Sequence, residues 1–371
     1  MTEKRQVSIY TRYIKERPSC YYRVGQYIKK IDDVDFSIHD GYGKFINNIN
    51  MRSTGSAIQP VVYILTYIIL YCRRICSVVT DFIRKPDIIV VQREIMPRYM
   101  PIVLGVLWAR LLSKSKVIWD FDDYIYLKEI SDRERRILEK KSRYIIVISE
   151  FLKNLIDNKY RDKVVLLPTT DCILGQKNVD KAVDIREKSY DGEIRLAWVG
   201  TAPNLVNLDR IMPQIEEAGL YLKKQCNKDV KLYVVCNRVY EYQSESLGLV
   251  NLRWTRKIAK KIMLNSHVGL MPLEDNEYNM GKGGFKIIQY LSAALPVLAS
   301  SVGYNREILS GGYGYLIDNC TKDGWKDALI KLGSDKENWE EQSRNSYIRY
   351  KERFDFEENL RFWKEILHDE V

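Results

Sequence analysis

The amino-acid sequence predicts an α/β protein with two Rossmann-like domains. Along its 371 residues, short apolar segments rich in Val and Ile alternate with longer helical stretches, and this pattern occurs twice. Such alternation favours parallel sheets covered by helices on both faces. Between the two sets, residues 171–191 carry many charges and no apolar period, which is typical of a linker. We therefore predict a first domain over residues 1–170 and a second over residues 192–350.

Each predicted strand is a short apolar run bounded by turn or helix signals. In the first domain the predicted strands are Val7–Tyr10, Ile88–Gln92, Val117–Trp119, Tyr144–Ile148 and Val164–Leu167. In the second domain they are Arg195–Val199, Lys231–Val235, Leu249–Trp254, Val268–Met271, Val297–Ala299 and Tyr315–Ile317. Residues 351–371 predict a last helix, because Asp355 and Glu358 resemble a capping box and Trp363 follows on an apolar face.

The composition is that of a soluble globular protein, with 46% hydrophobic and 29% charged residues. The seven cysteines include no C-x-x-C pair and the three histidines are far apart, so the sequence has no zinc signature. Buried, reduced thiols in a cytoplasmic protein fit this cysteine usage. The N-terminus lacks the apolar core of a signal peptide, which also favours a cytoplasmic location.

The longest apolar run, Val61–Cys72, is too short to span a bilayer, which needs about 20 residues. Arg73 and Arg74 follow it directly. Two interpretations remain open. The helix can be buried in its own domain, which is usual for a segment that is apolar all round. Alternatively, one of its faces can rest in the membrane interface.

Positive charge is concentrated in the first domain. Residues 1–165 contain 30 Lys and Arg against 19 Asp and Glu, so they carry all of the net charge of +10. Basic surfaces attract nucleic acid, anionic membranes or anionic substrates. Because no nucleic-acid-binding motif is recognisable, we expect no nucleic-acid partner. Peripheral contact with an anionic membrane is the expectation that fits better.

The most informative segment runs from Met280 to Leu309. Three glycines and a lysine open it, and an apolar-periodic helix follows at once: Gly281, Lys282, Gly283 and Gly284. A glycine turn before a helix lets backbone amides approach a ligand, and the helix N-terminus carries partial positive charge. Lys282 and Lys286 add full charges beside these amides. The segment predicts a diphosphate site, although an ordinary strand–turn–helix connection with solvated lysines has the same composition.

This segment resembles the donor site of the retaining glycosyltransferases of family 4, once called glycosyl transferases group 1. In that family a glycine-rich turn, a helix and a strand of the form PVVAS-x-VG-x-NxE hold the nucleotide diphosphate and the sugar. Here the strand reads PVLAS from Pro296, and VG, Asn305 and Glu307 follow. Similar segments occur in the same order elsewhere in the chain: SCYYRV at 19–24, DIIVVQREIMP at 87–97, VIWDFDD at 117–123, LAWVGT at 196–201 and HVGLMPLED at 267–275.

The resemblance implies a GT-B architecture, in which two Rossmann-like domains face a central cleft and a C-terminal helix crosses back to the first domain. It implies that Lys282 and Lys286 are the catalytic residues, which stabilise the departing diphosphate. The implied donor-binding residues are Gly200, Thr201, Gly281, Gly283, Gly284, Phe285, Gln289 and Asn305. Gly281 and Gln289 stand where many family members have two glutamates, and Gln289 can still hydrogen-bond a ribose.

Ligands of open parallel sheets bind beyond the carboxyl ends of the strands. On the first domain this rule selects the following residues for the acceptor side: Arg93, Glu94, Asp122 and Asp123. Arg23 is added to them because two tyrosines adjoin it. The arginines can instead pair with neighbouring carboxylates for structural reasons. Asp120 and Asp122 have the D-x-D spacing of metal-dependent glycosyltransferases with a different fold. Because this pair lies far in sequence from the glycine turn, we expect a metal-independent enzyme without cofactor.

The resemblance therefore implies a retaining hexosyltransferase-like enzyme. We expect it to be cytoplasmic and able to lie peripherally on the inner face of the plasma membrane. Its partners would be a nucleotide-sugar and a glycan or lipid-linked glycan acceptor in surface polysaccharide assembly. A sugar-nucleotide epimerase of the same architecture is an alternative, and it would need no acceptor. A non-catalytic nucleotide-sugar-binding subunit is a second alternative, which Gly281 in place of a glutamate keeps open.

Overall fold

A computed structural model describes residues 4–15, 17–44, 46, 49, 59–127, 129–171 and 176–368. The chain divides into two compact units. The first unit contains Met1–Thr169 together with Asn359–Val371, and the second contains Thr170–Glu358. Each unit is built on one six-stranded parallel sheet.

The sheet of the first unit consists of β1 (Arg5–Thr11), β2 (Val34–Asp40), β3 (Ile88–Gln92), β4 (Lys116–Asp120), β5 (Tyr144–Val147) and β6 (Val164–Leu166). Its strand order is β2-β1-β3-β4-β5-β6, which is the flavodoxin-like order with one added strand. The helices are α1 (Gln59–Arg84), α2 (Ile102–Leu112), α3 (Asp132–Lys141) and α4 (Glu150–Leu155). A short helix at Pro18–Cys20 continues as a π-helix at Tyr21–Gly25.

The sheet of the second unit consists of β7 (Glu193–Val199), β8 (Asp229–Cys236), β9 (Leu247–Arg253), β10 (Val268–Met271), β11 (Val297–Ser300) and β12 (Tyr315–Ile317). Its order, β12-β11-β10-β7-β8-β9, is that of the dinucleotide-binding Rossmann fold. The helices are α5 (Gln176–Ser189), α6 (Leu205–Asp209), α7 (Met212–Cys226), α8 (Arg256–Asn265), α9 (Glu277–Met280), α10 (Phe285–Ser292), α11 (Tyr304–Leu309), α12 (Gly324–Ser334) and α13 (Lys336–Arg353).

The last helix, α14 (Phe356–His368), returns to the first unit, as the resemblance implied. The Trp363 ring stacks on Tyr27 with ring centroids 6.1 Å apart. The Asn359 amide nitrogen donates to the Pro168 carbonyl oxygen at 2.7 Å. The predicted apolar face is correct, because Leu360, Trp363 and Leu367 are all buried.

The central strands have the sequences that a parallel sheet requires. Every residue of β3, IIVVQ, is buried, because helices cover both faces of the sheet. β-branched residues suit the pleated, buried surface of such a strand. The eleven predicted strands all occur, whereas β2 was not predicted. This edge strand pairs with β1 and has mostly half-exposed side chains, so it lacks a continuous apolar run.

Two expectations about helices were wrong. Residues predicted to form a linker without an apolar period include helix α5, which buries Val179, Ala182 and Arg186. The sequence pattern hid this helix because one of its core positions is an arginine. The Arg186 guanidinium satisfies its donors with the carbonyl oxygens of Ser266 at 3.3 Å and Ala293 at 3.0 Å.

The apolar run Val61–Cys72 belongs to a longer helix than expected. By length and composition alone, the 26-residue α1 is apolar enough to cross a membrane. It is also not the buried core helix that such runs usually form, because only Thr66, Leu70, Arg74, Val78 and Asp81 are buried along it. These residues anchor α1 to the sheet of the first unit. Its other side is exposed.

Candidate donor site and the charged cluster of the first unit

The glycine turn leads directly into helix α10 of the second unit. Gly284 is the N-cap residue and has a left-handed backbone with φ of +56°. A Cβ atom there would lie 2.3 Å from Ile308 Cδ1, so both the conformation and the space require glycine. A helix leaves its first amides without intrahelical acceptors. The turn therefore places backbone amides and the positive end of the α10 dipole at one point.

A second loop, after β11, supports this turn. Gly303 has φ of +51°, and a Cβ atom there would lie 2.6 Å from the Met280 carbonyl oxygen. Asn305 is buried, and its amide nitrogen donates to the Ser300 carbonyl oxygen at 3.1 Å. Its Oδ1 atom is buried without a hydrogen-bond partner among the described residues. The segment 296–307, which resembles the family motif, therefore packs directly against the glycine turn.

Lys286 is a half-buried cation in this site. Its Nζ atom lies over the Trp198 ring, 5.2 Å from the centroid. Burial, together with the nearby Lys282 ammonium, lowers the pKa of Lys286 to about 7. No carboxylate in the described ranges forms an ion pair with Lys286. An ammonium group held in this way is a strong site for an anion.

Lys282 connects the glycine turn to the loop that follows β7. Its Nζ atom donates to Asn204 Oδ1 at 2.6 Å. Asn204 in turn donates to Thr201 Oγ1 at 2.9 Å. A Cβ atom on Gly200 would lie 2.5 Å from the Trp198 ring, so glycine is required there too. Sequence reasoning missed Asn204, which lies outside the segments that resemble the family. It also gave no role to Trp198, although this residue lies within the LAWVGT segment.

The two lysines therefore lie at the point where the order of the second sheet reverses. β7 and β10 are neighbours there, and the chain continues from them in opposite directions across the sheet. Ligands of doubly wound sheets bind at such a switch point. The structure brings together all but one of the predicted donor-side groups there: Gly200, Thr201, Gly281, Lys282, Gly283, Gly284, Phe285, Lys286 and Asn305.

Gln289 has a different environment from the one expected. It lies in the second half of α10 and is 8% exposed. Its amide nitrogen donates to Asp171 Oδ2 at 2.8 Å. This contact fixes the amide within the protein. The structure therefore gives Gln289 a structural partner that the spacing of the motif could not reveal.

In the first unit, Arg93 is the centre of an ionic cluster. It directly follows β3, is 4% exposed and has a left-handed backbone with φ of +68°. Its guanidinium contacts Asp123 at 2.7 Å and Glu129 at 2.6 Å. Arg12, which follows β1, also binds Glu129 at 2.6 Å and pairs with the buried Glu94. The cluster lies at the switch point of this sheet, between β1 and β3.

Asp122 is the least compensated group of this cluster. Its Oδ1 atom is buried without a hydrogen-bond partner among the described residues, and Arg93 approaches it only to 3.6 Å. Burial, together with the neighbouring Asp123 carboxylate, raises the pKa of Asp122 to about 7. A carboxyl group whose pKa is near neutral pH can accept a hydrogen bond from a sugar hydroxyl when it is ionised. When it is protonated, it can donate one to the hydroxyl.

Arg23 has a structural environment and not the exposed position that acceptor binding would require. It is 2% exposed and forms a buried ion pair with Asp120. The same guanidinium donates to the Leu167 carbonyl oxygen at 2.7 Å. Asp120 is therefore occupied by Arg23, so the D-x-D pair is not presented as two open carboxylates. Among the described residues, no group of three or more His, Cys, Asp or Glu side chains is arranged to hold a metal.

The fold is that of the GT-B glycosyltransferases. The chain superposes on Anabaena HepE in complex with UDP and glucose with a TM-score of 0.63, at 10% identity over 98% of this chain and 100% of that chain. A glycosyltransferase from Rickettsia africae gives a TM-score of 0.62, at 12% identity over 100% and 99%. The UDP-forming α,α-trehalose-phosphate synthase of Burkholderia vietnamiensis gives 0.60, at 9% identity over 99% and 100%.

At the sequence level, residues 185–335 match the family model of the glycosyl transferases group 1. The matched segment is less than half of the chain, but it contains β7 to β12 and the whole glycine turn with α10. It supports glycosyl transfer as the chemistry of the second unit. A comparison with curated protein sequences found no significant match.

Proposed function

We propose that this protein is a retaining glycosyltransferase that moves a sugar from a nucleotide-sugar to a glycan acceptor. The observation that carries this proposal is the half-buried ammonium of Lys286, which has no anionic partner in the described chain and lies beside Lys282 at the start of α10. The family match over residues 185–335 supports glycosyl transfer.

In the proposed reaction, the bond between the anomeric carbon and the diphosphate oxygen breaks, and a bond from the same carbon to an acceptor hydroxyl oxygen forms with retention. The hydroxyl proton passes to the departing diphosphate. The developing charge is on the departing diphosphate, so preorganised donors there lower the barrier. Lys282, Lys286 and the amides of Gly283, Gly284 and Phe285 are placed to supply them. The enzyme then requires no strong general base, and positioning provides much of the remaining acceleration.

The acceptor binds to the first unit in this proposal. The cluster of Arg93, Glu94, Asp122 and Asp123 is charged and lies at the switch point of that sheet. Its acids and its arginine can hydrogen-bond sugar hydroxyls. The excess of positive charge over residues 1–165 supports an acceptor on a lipid diphosphate, with the enzyme cytoplasmic and peripheral on the membrane in surface polysaccharide assembly.

The test is a donor screen with the full chain. HepE was solved with UDP and with UDP-glucose, so UDP-glucose is the first nucleotide-sugar to try. We expect donor turnover by the wild type and a large loss in Lys286→Met. The matched control is Lys224→Met, which removes an exposed lysine of α7. Absence of turnover with every common nucleotide-sugar would instead favour a non-catalytic binding subunit.

Product analysis separates transfer from epimerisation. A transferase releases nucleoside diphosphate and, with an acceptor, forms a new glycosidic bond. An epimerase converts the donor without an acceptor and forms none. Transfer to the same anomeric configuration as the donor would support the retaining assignment, and an inverted product would contradict it.

The reaction is also proposed to be metal-independent, because amides and lysines meet the diphosphate charge. Turnover should therefore persist in excess EDTA at the rate measured without it. Loss of activity in EDTA with recovery on adding manganese or magnesium would contradict this assignment.

A further inference from the structure

Helix α1 of the first unit has its polarity inverted relative to an ordinary surface helix. Its buried stripe contains Thr66, Arg74 and Asp81, whereas the side chains it exposes are mostly aliphatic. Val61 is 59% exposed and Ile64 is 58% exposed. A surface helix of a water-soluble domain normally turns its apolar stripe to the core and its polar residues to solvent. The exposed side of α1 is therefore suited to an apolar environment.

The buried polar residues of α1 are satisfied within the unit, so the helix is not simply misplaced. The Arg74 guanidinium donates to the carbonyl oxygens of Ile95 at 3.0 Å and Thr11 at 2.8 Å. Asp81 accepts from Ser8 Oγ at 2.9 Å and from the Tyr10 hydroxyl at 2.8 Å. These bonds fix the rotation of α1 about its axis. They hold the aliphatic side outward.

The start of α2 extends the same surface. The Tyr67 hydroxyl of α1 donates to the Tyr99 carbonyl oxygen at 2.6 Å, and the Arg98 guanidinium lies over the Tyr63 ring at 5.4 Å. The segment just before α2 therefore lies against α1. We call the exposed apolar side chains of the two helices the apolar face: Val61, Ile64, Leu65, Ile68, Ile69, Tyr99, Ile102, Val103 and Val106.

Along the stretches of the two helices that carry the apolar face, the charge has one sign. Residues 59–80 and 102–112 contain no Asp or Glu. Arg73 and Arg98 are exposed beside the face, and residues 1–165 have 30 Lys and Arg against 19 Asp and Glu. Contiguous exposed apolar patches mark sites of protein or membrane contact. A patch with basic residues and tyrosines at its side has the chemistry of the boundary between acyl chains and anionic headgroups.

We propose that the apolar face binds the surface of an anionic lipid bilayer. α1 and the start of α2 lie in the interface with their aliphatic side chains among the acyl chains, while Arg73 and Arg98 meet lipid phosphates. This inference identifies the membrane-binding surface of the proposed enzyme. It rests on the proposed function, in which the acceptor is carried on a lipid. Vesicle binding is measured without donor or acceptor, so its outcome is independent of whether glycosyl transfer occurs.

The test is co-sedimentation of the full chain with vesicles of phosphatidylcholine and phosphatidylglycerol. We expect wild-type protein to bind these vesicles and to bind pure phosphatidylcholine more weakly. The double variant Ile64→Glu/Val103→Glu should lower the partition coefficient at least tenfold, because charged side chains replace aliphatic ones in the acyl region. The control is Ile348→Glu, which changes an isoleucine of similar exposure on α13 of the second unit and should bind like wild type.

Arg98→Gln tests the electrostatic part separately. It should weaken binding to the anionic vesicles about fivefold, since one basic residue near such a surface contributes about 1 kcal/mol. Its binding to pure phosphatidylcholine should not change. In the wild type, amide hydrogen exchange in residues 59–72 should also slow when anionic vesicles are added. That readout needs no variant.

Four results would overturn the proposal. One is wild-type protein that does not bind the anionic vesicles, and another is equal binding by the double variant. The third is a wild-type dimer in sedimentation velocity that the double variant converts to monomer, because a second copy would then cover the apolar face. Protein that remains on the vesicles in alkaline carbonate would contradict interfacial binding and indicate that α1 crosses the bilayer.

Discussion

Binding of a nucleoside diphosphate should be coupled to protonation of Lys286. The pKa of this lysine is lowered to about 7 in the free protein, so about half of the molecules carry the charge at neutral pH. A bound diphosphate favours the ammonium form and raises this pKa. Reciprocally, protonation favours diphosphate binding. Only the fraction of the free protein in which Lys286 is protonated binds the diphosphate without a further free-energy cost of protonation. This fraction falls as the pH rises.

The size of the effect follows from that fraction. It decreases from about one half at pH 7 to about one hundredth at pH 9, so the affinity should fall about fiftyfold over this range. The terminal phosphate is already ionised above pH 7, so its own titration contributes little there. At pH 7 the binding reaction should take up about half a proton.

The assay is isothermal titration calorimetry in buffers of different ionisation enthalpy, which measures affinity and proton uptake together. Lys286→Arg should bind with a nearly constant affinity across the range, because its guanidinium remains charged. Lys286→Met should bind weakly at every pH. Lys224→Met should retain the wild-type slope. A wild-type affinity that is independent of pH, or a slope that survives in Lys286→Met, would refute the reasoning.

Four further results are expected. Lys286→Met should raise the melting temperature at pH 7. The pKa of the lysine is about 10.5 in the unfolded chain and about 7 in the folded protein, so the lysine lowers the free energy of unfolding as the pH falls through this range. Equal melting temperatures of variant and wild type would contradict this. Lys282→Ala should weaken nucleoside diphosphate binding by about 1.5–3 kcal/mol, the contribution of a charge-assisted contact, and titration calorimetry at pH 7 measures it. Gly303→Ala should destabilise the protein and reduce donor binding, whereas Gly312→Ala, which also has a positive φ but open space, should have the smaller effect in thermal melts. Arg23→Gln should destabilise the first unit by about 3–5 kcal/mol in urea unfolding, because it leaves the buried Asp120 carboxylate unpaired, and a near-neutral effect would favour a binding role for Arg23 instead.

The strands could be predicted from the sequence because fully buried parallel strands have an easily recognised pattern of residues. Short runs such as IIVVQ in β3 stand out from any helix by length and β-branched content. The edge strand β2 has neighbours on one side and half-exposed side chains, so its pattern is diluted. α5 escaped prediction because Arg186, which reads as a surface residue, is buried on backbone carbonyl oxygens.

In the candidate donor site, the glycines were predictable because the backbone constrains the residue type at their positions. Gly284 and Gly303 have positive φ and leave no space for a Cβ atom, so both positions require glycine and are part of the motif. The surroundings of Lys286 were not predictable, because its contact with Trp198 joins two segments far apart in sequence. In the same way, the pairing of Gln289 with Asp171 depends on the fold and not on the spacing within α10.

The exposure of α1 could not be decided from composition. A segment that is apolar all round fits a domain core as well as a membrane interface. Distant contacts made by Arg74 and Asp81 select between the two, since they fix which side of the helix faces the sheet. The sequence contains these residues but does not reveal their partners.

The central claim is that the glycine turn and the start of α10 bind the diphosphate of the donor. The most direct measurement is amide hydrogen exchange of the full chain with and without a nucleoside diphosphate. We predict slower exchange at residues 281–288 and at the loop 200–204, with little change in the same segments of Lys286→Met. Protection confined to other segments, with unchanged exchange at 281–288, would contradict the account.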